Sequence, residues 1–332
     1  MYAKFHSIGA YVPSKVLSNA DLEKMVDTSD EWILKRTGIS ERRIAGDDEY
    51  TSDMATKASE LAIKRAGLKT SDIDLVVCAT VTPDYFNMPA TACIISDKLG
   101  IKNVQAFDIS AACSGFVYAL SLAKAFIESD MKKHVLIIGA EKFSSIVDYT
   151  DRSTCILFGD GAGASVISAT ENKDEAMIDV HASADGSYAD FLVTPAPGTV
   201  NPVSQKVIDE GLNFVRMKGN ETFKLAVKTL TKDVKNILAK NSIDSKSIPH
   251  FIPHQANYRI IKAVGDALKM DKEQVVLTVG KYGNTSAASI PMAINDIYES
   301  GRLKKGELML LDTFGGGLTW ASALLPFAGE TK

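Results

Sequence analysis

Cys113 lies in the stretch DISAACSGFVYAL, residues 108–120, where three small residues, Ser110-Ala111-Ala112, lead into a thiol and an amphipathic segment follows directly. The preceding run NVQAFDIS reads as a strand ending at about residue 110, and GFVYALSLAKAFIESD places apolar residues at 116, 117, 120, 122 and 126, a helical pattern. The thiol is therefore expected near a helix N-terminus, where unpaired N–H groups and the positive end of the helix dipole favour thiolate. Small neighbours would let a substrate carbonyl approach, while a buried cysteine filling a tight strand–helix turn fits the same context. His254, in PHQAN, follows the apolar run FIP, and Asn284, in GNTS, follows VVLTVGKYG. A lone His is more often structural, and Asn after Gly is usually a turn residue. All three, however, fall at expected strand carboxyl ends, where open α/β sheets place their ligands. The run Phe314-Gly315-Gly316-Gly317 is either a tight turn or a set of backbone N–H groups close enough to bind an oxyanion. GDGAGA, 159–164, matches the dinucleotide fingerprint, but it runs into the β-branched stretch SVISA instead of a helix, so a strand entrance is expected and no nicotinamide site.

The elements that must position these residues recur along the chain. DLVVCAT and PHFIPHQ, NVQAFDIS and QVVLTVGK, HVLIIGA and LMLLDTF are strand-like pairs separated by about 170–175 residues, and the helical pattern from 53 is echoed from 223. Each half alternates short β-branched runs with 3.6-period helices, which predicts α/β units with buried strands. Two pseudo-twofold-related α/β halves follow, 1–172 with the cysteine and 173–332 with the histidine and asparagine, the site lying where they meet. Residues 185–213, rich in Gly, Pro and Asn, read as a long excursion after the first strand of the second half.

Composition narrows the class. The chain has 332 residues, 45% hydrophobic and 23% charged, with net charge −4, ordinary for a soluble globular protein and without the basic block that would point to nucleic acid. No stretch reaches the roughly 18 apolar residues of a membrane span and the N-terminus lacks a signal-peptide pattern, so the cytoplasm is the default expectation. Cys78, Cys93, Cys113 and Cys155 form no C-x-x-C pair and have no His at ligand spacing, which argues against structural zinc. Cys78, Cys93 and Cys155 all read as small core hydrophobes.

Together AACSGF, PHQANYRI, GNTSAAS and DTFGGG resemble the β-ketoacyl-acyl carrier protein synthase III enzymes, the initiating condensing enzymes of bacterial fatty acid synthesis. The resemblance runs from SIGAYVPSKVLSN to GGGLTWASALL, nearly the whole chain. It implies the thiolase-like fold, with mixed sheets and helices in layers, and a homodimer. It implies that Cys113 takes an acyl group, typically acetyl, from coenzyme A, and that the acyl-enzyme condenses with malonyl on an acyl carrier protein, releasing CO₂. His254 and Asn284 would stabilise the enolate formed by decarboxylation, and the N–H groups of Cys113 and Gly316 would form an oxyanion hole. Coenzyme A is then a substrate, and neither cofactor nor metal is required. No Cys follows 155, unlike the biosynthetic thiolases, and position 284 is Asn where elongating condensing enzymes use a second His.

TSDEWILKRTG, 28–38, shows a capping box from Thr28 to Glu31 and a Gly stop, predicting a short helix with Trp32 and Arg36 on one face. A surface cation–π pair would explain that spacing. By the resemblance these two, with Thr37 and Arg152, hold the nucleotide end of coenzyme A, and Gly219, Phe223, Ala256 and Asn257 line the pantetheine tunnel. Gln255, Ala256, Asn257, Tyr258 and Arg259 are then expected to meet the carrier protein, Arg259 above all. Lys224, Lys228, Lys232 and Lys235 form a helical stripe that a solvated face explains equally well, and Lys262 follows. Met88, with Phe86 beside it, stands where several family members carry a bulky aromatic residue, in a loop that the resemblance sends across the dimer interface to close the partner's acyl pocket. A secondary-metabolite condensing enzyme would use the same residues. A Cys-His-Asn hydrolase of the papain kind has the same chain order, but AACSGF lacks the local signal of that nucleophile.

Overall fold

The computed structural model describes residues 1–332. Its first half contributes β1 (Tyr2–Phe5), β2 (Gly9–Tyr11), β3 (Lys15–Ser18), β4 (Glu41–Ile44), β5 (Leu75–Ala79), β6 (Gln105–Ile109), β7 (His134–Glu141) and β8 (Gly161–Thr170). Its helices are α1 (Asn19–Leu22), α2 (Asp30–Thr37), α3 (Thr51–Arg65), α4 (Thr91–Lys98), α5 (Gly115–Glu128) and α6 (Arg152–Cys155). The second half contributes β9 (Asp179–Ala184), β10 (Leu192–Val193), β11 (Arg216–Met217), β12 (His250–Pro253), β13 (Leu308–Gly315) and β14 (Thr319–Pro326). With them come α7 (Gln205–Asp209), α8 (Gly219–Lys240), α9 (Tyr258–Ala267), α10 (Val279–Tyr282) and α11 (Ser289–Glu299).

Two sheets repeat one topology. The first runs β1-β8-β7-β5-β6 and the second β9-β14-β13-β12, each antiparallel along its first three strands and parallel from the third strand onward. Strands buried on both faces must be apolar throughout, and LVVCA of β5 is buried at every position. One core joins Val77, Phe116, Ile137, Ile290 and Leu311, so α5 and α11 lie between the sheets. A second core places α3 and α4 on the outer face of the first sheet, and another places α8 and α9 on the outer face of the second. This is the layered pseudo-twofold α/β architecture that the repeat predicts. No helix is long and apolar enough to cross a membrane.

Three local expectations need correction. The run QVVLTVGK is not a counterpart strand to NVQAFDIS: only Val275 bridges to Phe251, and the chain turns at once into α10. The cap of α2 is Ser29, whose side chain accepts from the Trp32 N–H, while the Thr28 hydroxyl is buried without a partner. Cys93 is exposed, on the outward side of α4, whereas Cys78 and Cys155 are buried.

The halves press together through glycine. A Cβ on Gly139, in β7, would sit 2.3 Å from the Ala287 carbonyl oxygen, and one on Gly315 would sit 2.7 Å from the Cys113 nitrogen. Gly139→Ala should therefore cost about 1–3 kcal/mol by overpacking and push aside the turn that follows Asn284. A lower urea midpoint together with reduced turnover is expected; an unchanged midpoint would show that the seam can yield.

Candidate active site

Cys113, His254 and Asn284 line one cavity of about 110 Å³, walled by Phe158, Leu192, Phe223, Ala226, Leu230 and Phe314. Cys113 sits in the 3-10 turn Ala112–Ser114 that opens α5. Ala112 just before it has φ 46°, a left-handed conformation that costs a non-glycine residue of order 1–3 kcal/mol unless its surroundings hold it. Two hydroxyls of the other half do so: Thr313 Oγ1 donates to the Cys113 carbonyl at 2.8 Å and Thr319 Oγ1 to the Ala111 carbonyl at 2.9 Å. Gly315 lets this approach happen, since a Cβ there would lie 2.7 Å from the Cys113 nitrogen. Gly316 lies with Cys113 along a second cavity of about 360 Å³.

His254 follows β12, its N–H donating to the Asp312 carbonyl at 2.7 Å. Its Nδ1 meets Ser289 Oγ at 2.6 Å, and that oxygen also accepts the Gln255 N–H at 3.3 Å. The serine hydroxyl proton is then free to donate to Nδ1, which assigns the ring proton to Nε2. Asn284 is not at a strand end. Its N–H donates to the Leu157 carbonyl and its carbonyl accepts the Gly159 N–H, a bridge made possible by Gly159 and Gly283 at the crossing. Its Oδ1 accepts the Ser286 N–H at 2.9 Å, which turns the Nδ2 donors away from that turn.

Burial governs the electrostatics. Desolvation pushes the Cys113 thiol up to about 12, with Ser286 and the backbone pulling the other way and Glu141 adding to the rise. The expectation of a resting thiolate is thus corrected: enclosure outweighs the helix terminus. Desolvation also lowers His254 to about 3, so the imidazole is neutral at any working pH. Both groups are uncharged, and a thiolate–imidazolium pair of the hydrolase kind does not form.

The cavity continues outward. A mouth of about 480 Å³ shares Leu157, Met217, Gly219, Phe223 and Asn257 with it and adds Trp32, Arg36, Thr37, Arg152 and Arg259. The guanidinium groups of Arg36 and Arg152 lie 4.6 and 5.0 Å from the centre of the Trp32 ring, and Arg259 lies 5.2 Å from that of Phe223. Ala256 lines the inner cavity only. Thr37 reaches the mouth, but its hydroxyl is spent on α2, donating to the Ile33 carbonyl and accepting the Ile39 N–H.

Gln255 is a correction. It is 1% exposed, its Nε2 donates to the carbonyls of Pro253 and Val276, and its Oε1 accepts the N–H groups of Thr278 and Val279. An amide so saturated braces the chain before Asn284 and cannot meet a carrier protein. Asn257 caps α9 and donates to the Arg36 carbonyl, and Tyr258 packs on Gly38 with 40% exposure. Lys228 and Lys232 face a separate surface cavity beside Trp320, away from the mouth. Phe86 and Met88 are 67% and 79% exposed and stay outside the cysteine cavities of their own chain. Ser286, Ser289, Thr313 and Glu141 were not singled out by sequence; the acid that ends the apolar run HVLIIGAE was the one visible signal.

Comparison with known proteins identifies the family. A sequence profile described as 3-oxoacyl-[acyl-carrier-protein (ACP)] synthase III matches residues 107–186, and its C-terminal counterpart matches residues 238–327. The beta-ketoacyl-[acyl-carrier-protein] synthase III of Sulfurovum sp. (strain NBC37-1) is 85% identical over 331 residues, 100% of this chain and 97% of that relative. That of Sulfurimonas denitrificans is 70% identical, covering 98% of each chain. The crystal structure of 3-oxoacyl-[acyl-carrier-protein] synthase III from Aquifex aeolicus VF5 superposes with a TM-score of 0.90 at 46% identity, covering 98% of this chain and 99% of the other.

The neutral imidazole is directly testable. Nitrogen-15 spectra should show the His254 ring neutral, with its single proton on Nε2, from about pH 5 to about pH 9. A titration near the ordinary value of 6.5 that disappears in Cys113→Ala would instead mean a coupled ion pair.

Proposed function

The chain belongs to the 3-oxoacyl-[acyl-carrier-protein] synthase III family, and from that premise we propose how its own residues divide the condensation of a short acyl-coenzyme A with malonyl-acyl carrier protein. Cys113 is the nucleophile that receives the acyl group from coenzyme A. His254 and Asn284 donate N–H groups to the thioester oxygen of the malonyl unit as CO₂ leaves. The N–H groups of Cys113 and Gly316 receive the oxyanion of each tetrahedral intermediate. The observation that carries this reading is the single cavity lined by all three side chains and opening onto the arginine-flanked Trp32.

Neutral groups suit the second half-reaction. Decarboxylation replaces a carboxylate with an enolate, so the negative charge moves and is not created. An imidazole that donates from Nε2 without carrying a proton charge binds the enolate oxygen without trapping the malonyl carboxylate. At the mouth, Trp32 offers a stacking face for adenine, and Arg36 and Arg152 offer cations for phosphate. Arg259, exposed at the rim beside Phe223, is the contact for an acidic carrier protein. Coenzyme A enters as substrate, and these steps call for neither metal nor cofactor.

Tyr85, Phe86 and Met88 expose three large apolar side chains on one loop, a surface that calls for a partner. A second copy of the chain is that partner. Its loop would close the Cys113 cavity bordered by Ile146, Leu192, Val193 and Val215 and limit the acyl group there.

The half-reactions should separate. His254→Ala should still gain about 42 Da on Cys113 from acetyl-coenzyme A, the mass of one acetyl group, yet condense about 10²–10³-fold more slowly. Equal loss of both steps would instead make His254 the base that activates Cys113. The primer pocket gives a second check. Methionine at 88 is unbranched and can fold aside, so propionyl- and butyryl-coenzyme A should serve as primers beside acetyl. Each added methylene changes kcat/KM by about 10–200-fold or less, and Met88→Phe should steepen the series toward acetyl. If the wild type already rejects butyryl as strongly as that variant, Met88 does not bound the pocket.

A further inference from the structure

β4 has the sequence Glu41-Arg42-Arg43-Ile44, charges in succession as on an exposed strand, yet Arg42 is 0% exposed. Its guanidinium reaches three segments of the chain. Nη1 donates to the Leu17 carbonyl at 3.1 Å and to Asn19 Oδ1 at 2.9 Å, and Nη2 donates to the Ile156 carbonyl at 2.7 Å. None of these acceptors is a carboxylate, and Nε is buried without a partner. Desolvation lowers the group to about 10, so it keeps its charge at any working pH. A cation enclosed with neutral dipoles alone costs stability that an apolar side chain of similar size would not. An arginine here therefore calls for a reason other than stability.

Its contacts supply one. After Ile156 comes Leu157, whose carbonyl accepts the Asn284 N–H at 2.8 Å, and then Gly159, whose N–H donates to the Asn284 carbonyl at 3.0 Å. The stem of Arg42 fills the same crossing: a Cβ on Gly159 would lie 3.0 Å from the Arg42 Cβ, and one on Gly283 would lie 3.1 Å from it. The far side of the fork is anchored as well. Asn19, which accepts from Nη1, donates through Nδ2 to Asp30 Oδ1 and to the Ile39 carbonyl, both at 2.8 Å, and so is fixed at the start and the exit of α2. A neutral donor could satisfy any one of these oxygens. Only a rigid planar fork spans Leu17, Asn19 and Ile156 together, and a lysine ammonium, a point donor, does not.

Resting on the enolate role given to Asn284 above, we propose that Arg42 is a positioning residue for the condensation: it clamps the Ile156 carbonyl and packs its stem against Gly159 and Gly283, fixing the backbone bridge from which Asn284 presents its Nδ2 donors. Arg42 itself lines neither the tunnel nor its mouth, so it acts through Asn284 and not on substrate. The Cys113 turn is held separately, by Thr313 and Thr319, and His254 by Ser289 and the Asp312 carbonyl. Loss of the clamp should therefore fall on the half-reaction that uses Asn284 and spare the one that needs only the sulfur.

The test is a double-mutant cycle read on each half-reaction. Acylation is followed by intact mass with saturating acetyl-coenzyme A, and decarboxylation by CO₂ released from malonyl-acyl carrier protein. Arg42→Lys should acylate within about 3-fold of wild type and decarboxylate about 10-fold more slowly. Asn284→Ala should decarboxylate about 10²-fold more slowly, and the double variant should be no slower than Asn284→Ala. Losses that multiply in the double variant overturn the proposal. So does an Arg42→Lys enzyme whose decarboxylation is unchanged or whose half-reactions slow alike. Should Arg42→Lys fail to melt cooperatively, Arg42→Met, which leaves no charge to bury, replaces it in the cycle. Failure of both to melt makes Arg42 a folding residue and overturns the proposal too. An Asn284→Ala enzyme that decarboxylates at the wild-type rate overturns instead the enolate role on which the proposal rests.

Discussion

Two turns at equivalent positions, Ala112–Ser114 and Ser286–Ala288, meet between the sheets, and the side chains of the cavity are arranged around that meeting. Each is a 3-10 turn heading a central helix, and each begins with a residue forced to positive φ, Ala112 at 46° and Ser286 at 49°. Neither conformation would persist in an isolated chain. They persist because backbones close on them from the other half: Gly315 against the Cys113 nitrogen and Gly139 against the Ala287 carbonyl. One turn holds the sulfur, and the other orients Asn284 through the Ser286 N–H. Geometry at the site is thus a consequence of how the duplicated halves pack, not of any one loop.

The same packing sets the electrostatics. Enclosure between the sheets keeps thiol and imidazole neutral, and only the five donors that Thr80, Val81, Thr82 and Ser286 aim at Glu141 offset the cost of a buried carboxylate there. With His254 neutral, the donors on the tunnel side carry no positive charge that would bind the malonyl carboxylate more tightly than the transition state. These donors act when charge develops, and enclosure makes them stronger at that moment. Arg36, Arg152 and Arg259, by contrast, are exposed and line the mouth, and none of them lines the cavity that holds Cys113.

Much of this was legible in residue order. Cys113, His254 and Asn284 were marked by short motifs, and the paired apolar runs announced two similar sheets. What misled was local pattern without tertiary context. QVVLTVGK alternates like a strand, yet Gln255 draws the N–H groups of Thr278 and Val279 onto its side chain and starts a helix there. Gln255 looked like an exposed loop residue because it follows His254, and only the fold reveals that it points inward. Thr28 satisfied the spacing of a capping box, but Ser29 is the residue whose oxygen reaches the Trp32 N–H. Glu141 and Ser286 lie 145 residues apart in sequence, and no periodicity joins them.

The position of the sulfur also explains how one passage can serve two substrates. Cys113 and Leu192 border both the tunnel cavity and the cavity on the far side, so the thiol stands at a junction. In the mechanism proposed above, a thioester arriving from the mouth would place its carbonyl at the sulfur with its acyl group directed beyond it. Once transferred, that acyl group would occupy the far cavity and leave the tunnel clear. Coenzyme A can then leave by the route it entered, and a second thioester on the same kind of arm can reach the same carbon. His254 and Asn284 border the tunnel side alone. In the mechanism proposed above they would therefore face the incoming malonyl thioester and not the stored acyl group.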